Sequence, residues 1–151
     1  MIKQDILENP VNIAYLSIGS NLGVASYDDK EVTIADIPGL VEGAHKGIGL
    51  GTQFLKHIER CKSLLHMIDI TNENLKKSYK QIKDELKNYS TKLVKKRELV
   101  VLNKTDLIEE GEVEKIVKYF SKNTKSEVIV LSTLDKKSIS KIKAKLISYA
   151  S

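Results

Sequence analysis

Four consecutive residues, Asn103-Lys104-Thr105-Asp106, carry the most specific chemistry in the chain, and they follow the apolar run Glu98–Leu102 (ELVVL). An aspartate held at a strand end can accept two hydrogen bonds from the N1–H and 2-amino group of guanine. Adenine offers no such donor pair, so the site rejects it by leaving polar groups unpaired. The Asn103 amide suits holding the loop and approaching the base edge, and the Lys104 stem suits packing over the ring. A second motif, Asp36-Ile37-Pro38-Gly39, closes the alternating run Glu31–Ala35 (EVTIA). There Asp36 could hold Mg²⁺ through water, and Gly39 lets a backbone N–H approach a phosphate. D-x-x-G is a common pattern, and alone it says no more than a strand-ending turn. Ser132-Thr133 end a third run, Glu127–Leu131 (EVIVL).

These motifs need strands to carry them. Val11–Ile18 (VNIAYLSI) is apolar and β-branched between Pro10 and Gly19, and reads as a strand. Leu22–Tyr27 reads as a weaker strand, followed by a turn at Asp28-Asp29-Lys30. Gly39, Gly43, Gly47, Gly49 and Gly51 mark a loop, then Thr52–Lys62 has helical spacing with Phe54, Leu55, Ile58 and Cys61 on one face. Ser63–Ile70 is a buried strand candidate. Residues Asn72 to about Leu93 form a long amphipathic helix with a break near Ser90, presenting Leu75, Tyr79, Ile82, Leu86 and Tyr89. Glu112–Phe120 and Ile139–Tyr149 are helical, the latter with Ser138 as the expected N-cap. Strands alternating with helices of this length imply an α/β fold, a mostly parallel sheet covered by helices on both faces. In such folds ligands sit at the carboxyl ends of strands, where the motifs fall.

Composition sets the outer bounds. The chain has 151 residues, 41% hydrophobic and 30% charged, with 2 Pro and 8 Gly, which excludes collagen-like and largely disordered classes. No apolar run reaches the roughly 18 residues of a membrane span, so no membrane partner is expected. Acids early in Met1–Asp5 argue against an export signal, and a single cysteine, Cys61, fits a reducing cytoplasm. Residues 1–70 carry 6 Lys/Arg and 9 Asp/Glu, a net of −3; residues 71–151 carry 19 and 11, a net of +8. Spread lysines of this kind are first of all solvated helix faces, although a basic half also suits RNA or an acidic partner. His45 reads as a solvated loop residue, His57 and His66 as packing or surface residues, and Cys61 as a small buried hydrophobe.

The stretches NLGVASYDD (21–29), ADIPGLVEGAHKGIGLGTQFLKHIERCKSLLHMIDI (35–70) and VVLNKTD (100–106) resemble the Obg family of ribosome-associated GTPases. The resemblance covers about residues 21–148 and leaves 1–20 as a divergent N-terminal segment before a partial G domain over 21–151. It implies a P-loop-NTPase-like G domain, GTP or GDP with Mg²⁺ as cofactors, slow GTP hydrolysis and a cytoplasmic role in ribosome biogenesis. The partners implied are a guanine nucleotide and the large ribosomal subunit or its rRNA. The nucleotide-binding positions carried over are Asp36, Gly39, Asn103, Lys104, Asp106, Ser132 and Thr133. Asp36 and Ser17 are carried over as metal positions, Ser17 standing where the family has its switch-I threonine. At Thr133 the family usually has Ala; threonine keeps the backbone N–H that meets the base but crowds the ring. A shorter likeness, IAYLSIGSNLG (13–23), to the opening of hydroxymethyl-dihydropterin pyrophosphokinase spans 11 residues, and no pterin chemistry is assigned to it.

One part of a working G domain has no counterpart in these residues. The phosphate loop G-x-x-x-x-G-K-[ST] cradles the phosphates with backbone N–H groups and supplies a lysine and a Mg²⁺-binding hydroxyl. No Gly-Lys-Ser or Gly-Lys-Thr occurs in the chain, and in the nearest imitation, Ile18–Ala25, Val24 and Ala25 stand at the lysine and hydroxyl positions. Each lost charge-assisted hydrogen bond costs roughly 1.5–3 kcal/mol, so phosphate affinity and hydrolysis should fall sharply. In the parent fold the strand before that loop is central; without it the sheet would have two open edges. Residues 11–18 are therefore expected to occupy that slot. Three functions remain: a GTP/GDP-binding protein with the guanine pocket kept and hydrolysis impaired, a non-enzymatic module that binds the ribosome or RNA, or half of a split GTPase whose phosphate loop comes from a complementing chain.

Overall fold

The computed structural model describes residues 13–16, 22–36 and 61–150. Six strands form one sheet: β1 Ile13–Leu16, β2 Leu22–Tyr27, β3 Lys30–Asp36, β4 Ser63–Asp69, β5 Arg97–Asn103 and β6 Glu127–Leu131, in the spatial order β2-β3-β1-β4-β5-β6. β1 runs parallel to β3 on one side and β4 on the other, with Ala14 level with Ala35 and with Leu64. The expected strand from 11–18 thus fills the central slot over Ile13–Leu16, and the sheet is continuous. Its outermost strand on this side, β2, is antiparallel to β3. The hairpin between them turns at Asp28 and Asp29, both left-handed with φ 51° and 56°. Two successive positive φ values are what a tight two-residue hairpin turn needs, and aspartate is among the residues that tolerate them.

Among the described residues the helices are α1 Leu75–Tyr89, α2 Thr91–Val94, α3 Glu110–Asn123 and α4 Lys136–Ala150. The long helix expected from Asn72 starts three residues later. Asn72 accepts a hydrogen bond from the Asn74 N–H through its own side chain (2.8 Å), which favours a turn over helix there. The expected break is present at Ser90, whose extended backbone (φ −161°, ψ 121°) separates α1 from α2 and whose hydroxyl caps α2. α4 begins before Ser138. The N-cap is Asp135, whose carboxylate accepts from the N–H of Lys137 (3.0 Å) and of Ser138 (3.1 Å). Ser138 instead accepts the Ser132 N–H (3.0 Å), tying α4 to the end of β6.

β5 is buried on both faces. Leu99 and Val101 join Leu65, Ile129, Leu131 and the inner face of α4 (Ile142, Leu146, Tyr149) in one core. Val100 and Leu102 join Ile68, Ile70 and Phe120 in the other, against Leu75 and Tyr79 of α1 and Val113, Ile116 and Val117 of α3. Alternate residues of one strand therefore serve opposite cores, as a parallel sheet between helix layers requires. The expected α/β class, a mostly parallel sheet with helices on both faces, is thereby met, and the carboxyl ends of β1, β3, β4, β5 and β6 share one edge.

Candidate functional site

At that edge β5 ends in Asn103, and the chain turns through Lys104 in a left-handed conformation (φ 65°, ψ 36°) into a single 3-10 turn, Thr105–Leu107. A lysine there is unusual and costs of order 1 kcal/mol, a strain often found where a turn serves a site. The turn sends successive side chains to different neighbours. Thr105 donates through Oγ1 to the Leu131 carbonyl at the end of β6 (3.2 Å). Asp106 Oδ1 accepts the Ser132 hydroxyl at 2.6 Å, and that hydroxyl accepts in turn from the Leu134 N–H (3.2 Å). Lys104 points the other way, its ammonium 2.5 Å from Asp69 Oδ2 at the end of β4.

Asn103, Lys104, Asp106 and Ser132 are thus brought together, with the neighbouring Thr133 exposed. Ser132 is 8% exposed and fixed from both sides, whereas Asp106 is exposed and can accept more than its one hydroxyl. Asn103 Oδ1 is shielded from solvent and has no hydrogen-bond partner. A buried polar oxygen left unpaired costs free energy, and such an orphan beside an exposed carboxylate suits a site completed by a ligand. Asp36 is the last residue of β3, level with Tyr15 of β1, on the same edge two strands away from β4. Gly39, Ser17 and His45 lie outside the described residues, as does the expected helix Thr52–Lys62 up to residue 60; its last two residues, Cys61 and Lys62, are described and are not helical, because β4 starts at Ser63. Hence the described part of the expected Mg²⁺ site is one strand-end aspartate. By residue type it suits a cation held by one or two carboxylates and substrate phosphates. Among the described residues no three His, Cys, Asp or Glu side chains are grouped to hold a metal.

Two further residues belong to neither motif and stand out in three dimensions. Asp69 closes β4 level with Asn103, and its Oδ1 accepts both the N–H (3.0 Å) and the hydroxyl (2.7 Å) of Thr71. The hydrogen bond from Lys104 holds its carboxyl below the usual range, over the opposing effect of partial burial. A signal for it exists in the sequence: an acid at a strand end, two residues before a threonine. The other is Glu98, at the amino end of β5. Glu98 is buried and accepts from Ser126 Oγ (2.6 Å), Tyr79 Oη (3.0 Å), Lys83 Nζ (3.1 Å) and His66 Nδ1 (3.2 Å). Burial pushes its carboxyl up, but the bonds from His66 and Ser126 and the Lys83 charge prevail and hold it at about 2. Burial and the Glu98 charge push the Tyr79 hydroxyl up. His66 is buried and stacks on Tyr79 (4.9 Å between centroids), a structural pairing in the middle of β4, level with Val100. A cavity of about 540 Å³ opens between α1, α3 and the 3-10 turn, lined by Leu75, Ile108, Ile116 and Tyr119. None of Asn103, Lys104, Asp106 or Ser132 lines it.

The model of 50S ribosome-binding GTPases matches residues 11–104, which include β1 to β5 and the first half of the motif. The chain belongs to this family of 50S ribosome-binding GTPases. Within the family it is similar to GTPase Obg of Pelagibacter ubique (strain HTCC1062), 66% identical over 140 residues, covering 93% of this chain and 43% of that protein. It is also similar to GTPase Obg of Rickettsia prowazekii (strain Madrid E), 44% identical over 128 residues, covering 85% and 39%. The chain therefore spans less than half the length of the Obg GTPases it matches. Among solved structures, the fold is shared with a variant of Aquifex aeolicus Era bound to GDP·AlF4⁻ (TM-score 0.60, 18% identity, 91% of this chain and 56% of that one). It is shared too with the FeoB G-domain from Methanococcus jannaschii (TM-score 0.58, 18% identity, 93% and 97%). The family match begins at residue 11, so β1 lies within it, upstream of the stretches that carried the resemblance. No described helix is long and apolar enough to cross a membrane.

Proposed function

We propose that this chain binds guanine nucleotides chiefly through the base, and that it hydrolyses GTP poorly as it stands. The observation that carries this reading is the half-satisfied cluster at the end of β5: Asp106 oriented by Ser132, beside the unpaired oxygen of Asn103. Asp106 would accept the N1–H and 2-amino protons of guanine, Ser132 would keep its carboxylate in place, and Asn103 would meet the base edge. Lys104 would cover one face of the ring, and the Thr133 N–H would approach the base. On the phosphate side, Asp36, Ser17 and Gly39 are the positions for Mg²⁺ and phosphate, and the cation would neutralise phosphate charge there. No phosphate loop accompanies them. The central slot holds β1, and only residues 17–21 join β1 to β2. Five residues cannot supply the eight of G-x-x-x-x-G-K-[ST] and the helix that follows it.

Binding should therefore depend little on phosphate number. Titration calorimetry with GDP, GTP and guanosine in Mg²⁺, with ADP as control, tests this. The expected result is guanine-selective binding with affinities for the three ligands within about tenfold of one another. No binding of any of them up to millimolar concentration would defeat the reading. By family, the large ribosomal subunit or its rRNA is the macromolecular partner proposed, in the cytoplasm. The basic half, residues 71–151, favours that surface, and a complex that weakens steeply with salt is the expected signature.

A further inference from the structure

The Asn103–Asp106 turn holds a cation and an anion two residues apart, yet they do not pair with each other. Asp106 bonds to Ser132 on the β6 side, while the Lys104 ammonium lies against Asp69 on the β4 side. Asp69 is itself held: Thr71 occupies its Oδ1 with two hydrogen bonds, leaving Oδ2 directed to the lysine. The side chains of Lys104 and Asp69 are 50% and 38% exposed, so this ion pair contributes little to folding. Its consequence lies in where it puts the charge. A lysine without that anchor is a long flexible cation beside an exposed carboxylate, the group that must stay open for a base.

We propose that Asp69, braced by Thr71, is a positioning residue of the base site: it draws the Lys104 ammonium to the end of β4 and so keeps Asp106 available to guanine. This rests on the guanine reading above. Asp69 touches no ligand; it fixes a rotamer-rich side chain before the ligand arrives, and ordering such a side chain on binding would otherwise weaken affinity.

The test is calorimetry of GDP with four proteins: wild type, Asp69→Asn, Lys104→Met and the double variant. Asp69→Asn is expected to weaken GDP about threefold to tenfold. In the Lys104→Met background, where no ammonium remains to be placed, the same change is expected to add no further loss. Unchanged affinity in Asp69→Asn would overturn the inference. So would an equal loss in both backgrounds, because Asp69 would then act on the strand end rather than through the lysine. A wild type that binds GDP no better than ADP would defeat the guanine reading and this inference with it, an outcome distinct from the other two. Should Asp69→Asn fail to fold, ¹⁵N NMR of the Lys104 ammonium in the nucleotide-free wild type decides. A signal slowed in proton exchange is expected, and one identical to the solvent-exposed lysines would overturn the inference.

Discussion

The two ends of β5 treat polar residues in opposite ways. At the amino end, Glu98 is 6% exposed and takes hydrogen bonds from four donors on β4, α1 and the loop before β6. At the carboxyl end of the same strand, Asn103 keeps an oxygen with no partner, and just beyond it Asp106 stands exposed. A polar group whose bonds are all made inside the protein is committed to the fold. One left with spare acceptors at a sheet edge keeps them for something else. Burial and an unusual acidity therefore mark the end of this strand that is committed to the fold; unsatisfied valence marks the end proposed for the base.

The contrast is sharpest if the Glu98 acceptors are removed. Glu98→Ala would leave His66, Tyr79, Lys83 and Ser126 facing a void, and about 3–5 kcal/mol of unfolding free energy should be lost. Urea denaturation measures it, and a change below about 1 kcal/mol would mean the network is not committed to the fold. Acid gives the same comparison without mutation. Glu98 has its folded-state pKa lowered from 4.5 to about 2, so its contribution is whole above about pH 4.5 and is lost as the pH falls toward 2. The loss is on the order of 3 kcal/mol, and the acid limb of a stability–pH curve should flatten in Glu98→Gln.

Asp106→Ala should do the reverse, costing GDP affinity about a hundredfold or more through two charge-assisted bonds. Its unfolding free energy should shift by no more than about 1 kcal/mol. Asp106→Asn should turn preference toward xanthine nucleotides, whose 2-oxo group an amide can serve; unchanged guanine binding would remove Asp106 from the site. The smallest effect belongs to Asp135→Ala, which removes the N-cap of α4 and should cost about 1 kcal/mol in a thermal melt with base selectivity unchanged.

Much of the fold, and the strand-end position of the Asn103–Asp106 motif, was legible in the residues themselves. β6 has the bounds Glu127–Leu131 that its sequence suggested, and β2 has those of Leu22–Tyr27. The break at Ser90 was visible as well. Helix starts were less so: α1 and α4 begin where Asn72 and Asp135 form local side-chain bonds, a choice made by a few atoms rather than by a periodic pattern. Glu98 read as the polar first residue of a strand, because its partners lie from 15 to 32 residues away in sequence.

By itself, the sequence determined what periodicity and residue type can carry: alternating strands and helices, the Asn103–Asp106 motif at the end of one strand, and the lack of a Gly-Lys-Ser/Thr. These are properties of residues near one another along the chain. The tertiary structure decided what depends on residues far apart. It set the register of Ile13–Leu16 against β3 and β4, drew Lys104 to Asp69 and Asp106 to Ser132, and closed Glu98 away from solvent. Hydrogen bonding and desolvation act through space, so which polar groups end satisfied and which end open is settled only when the strands come together.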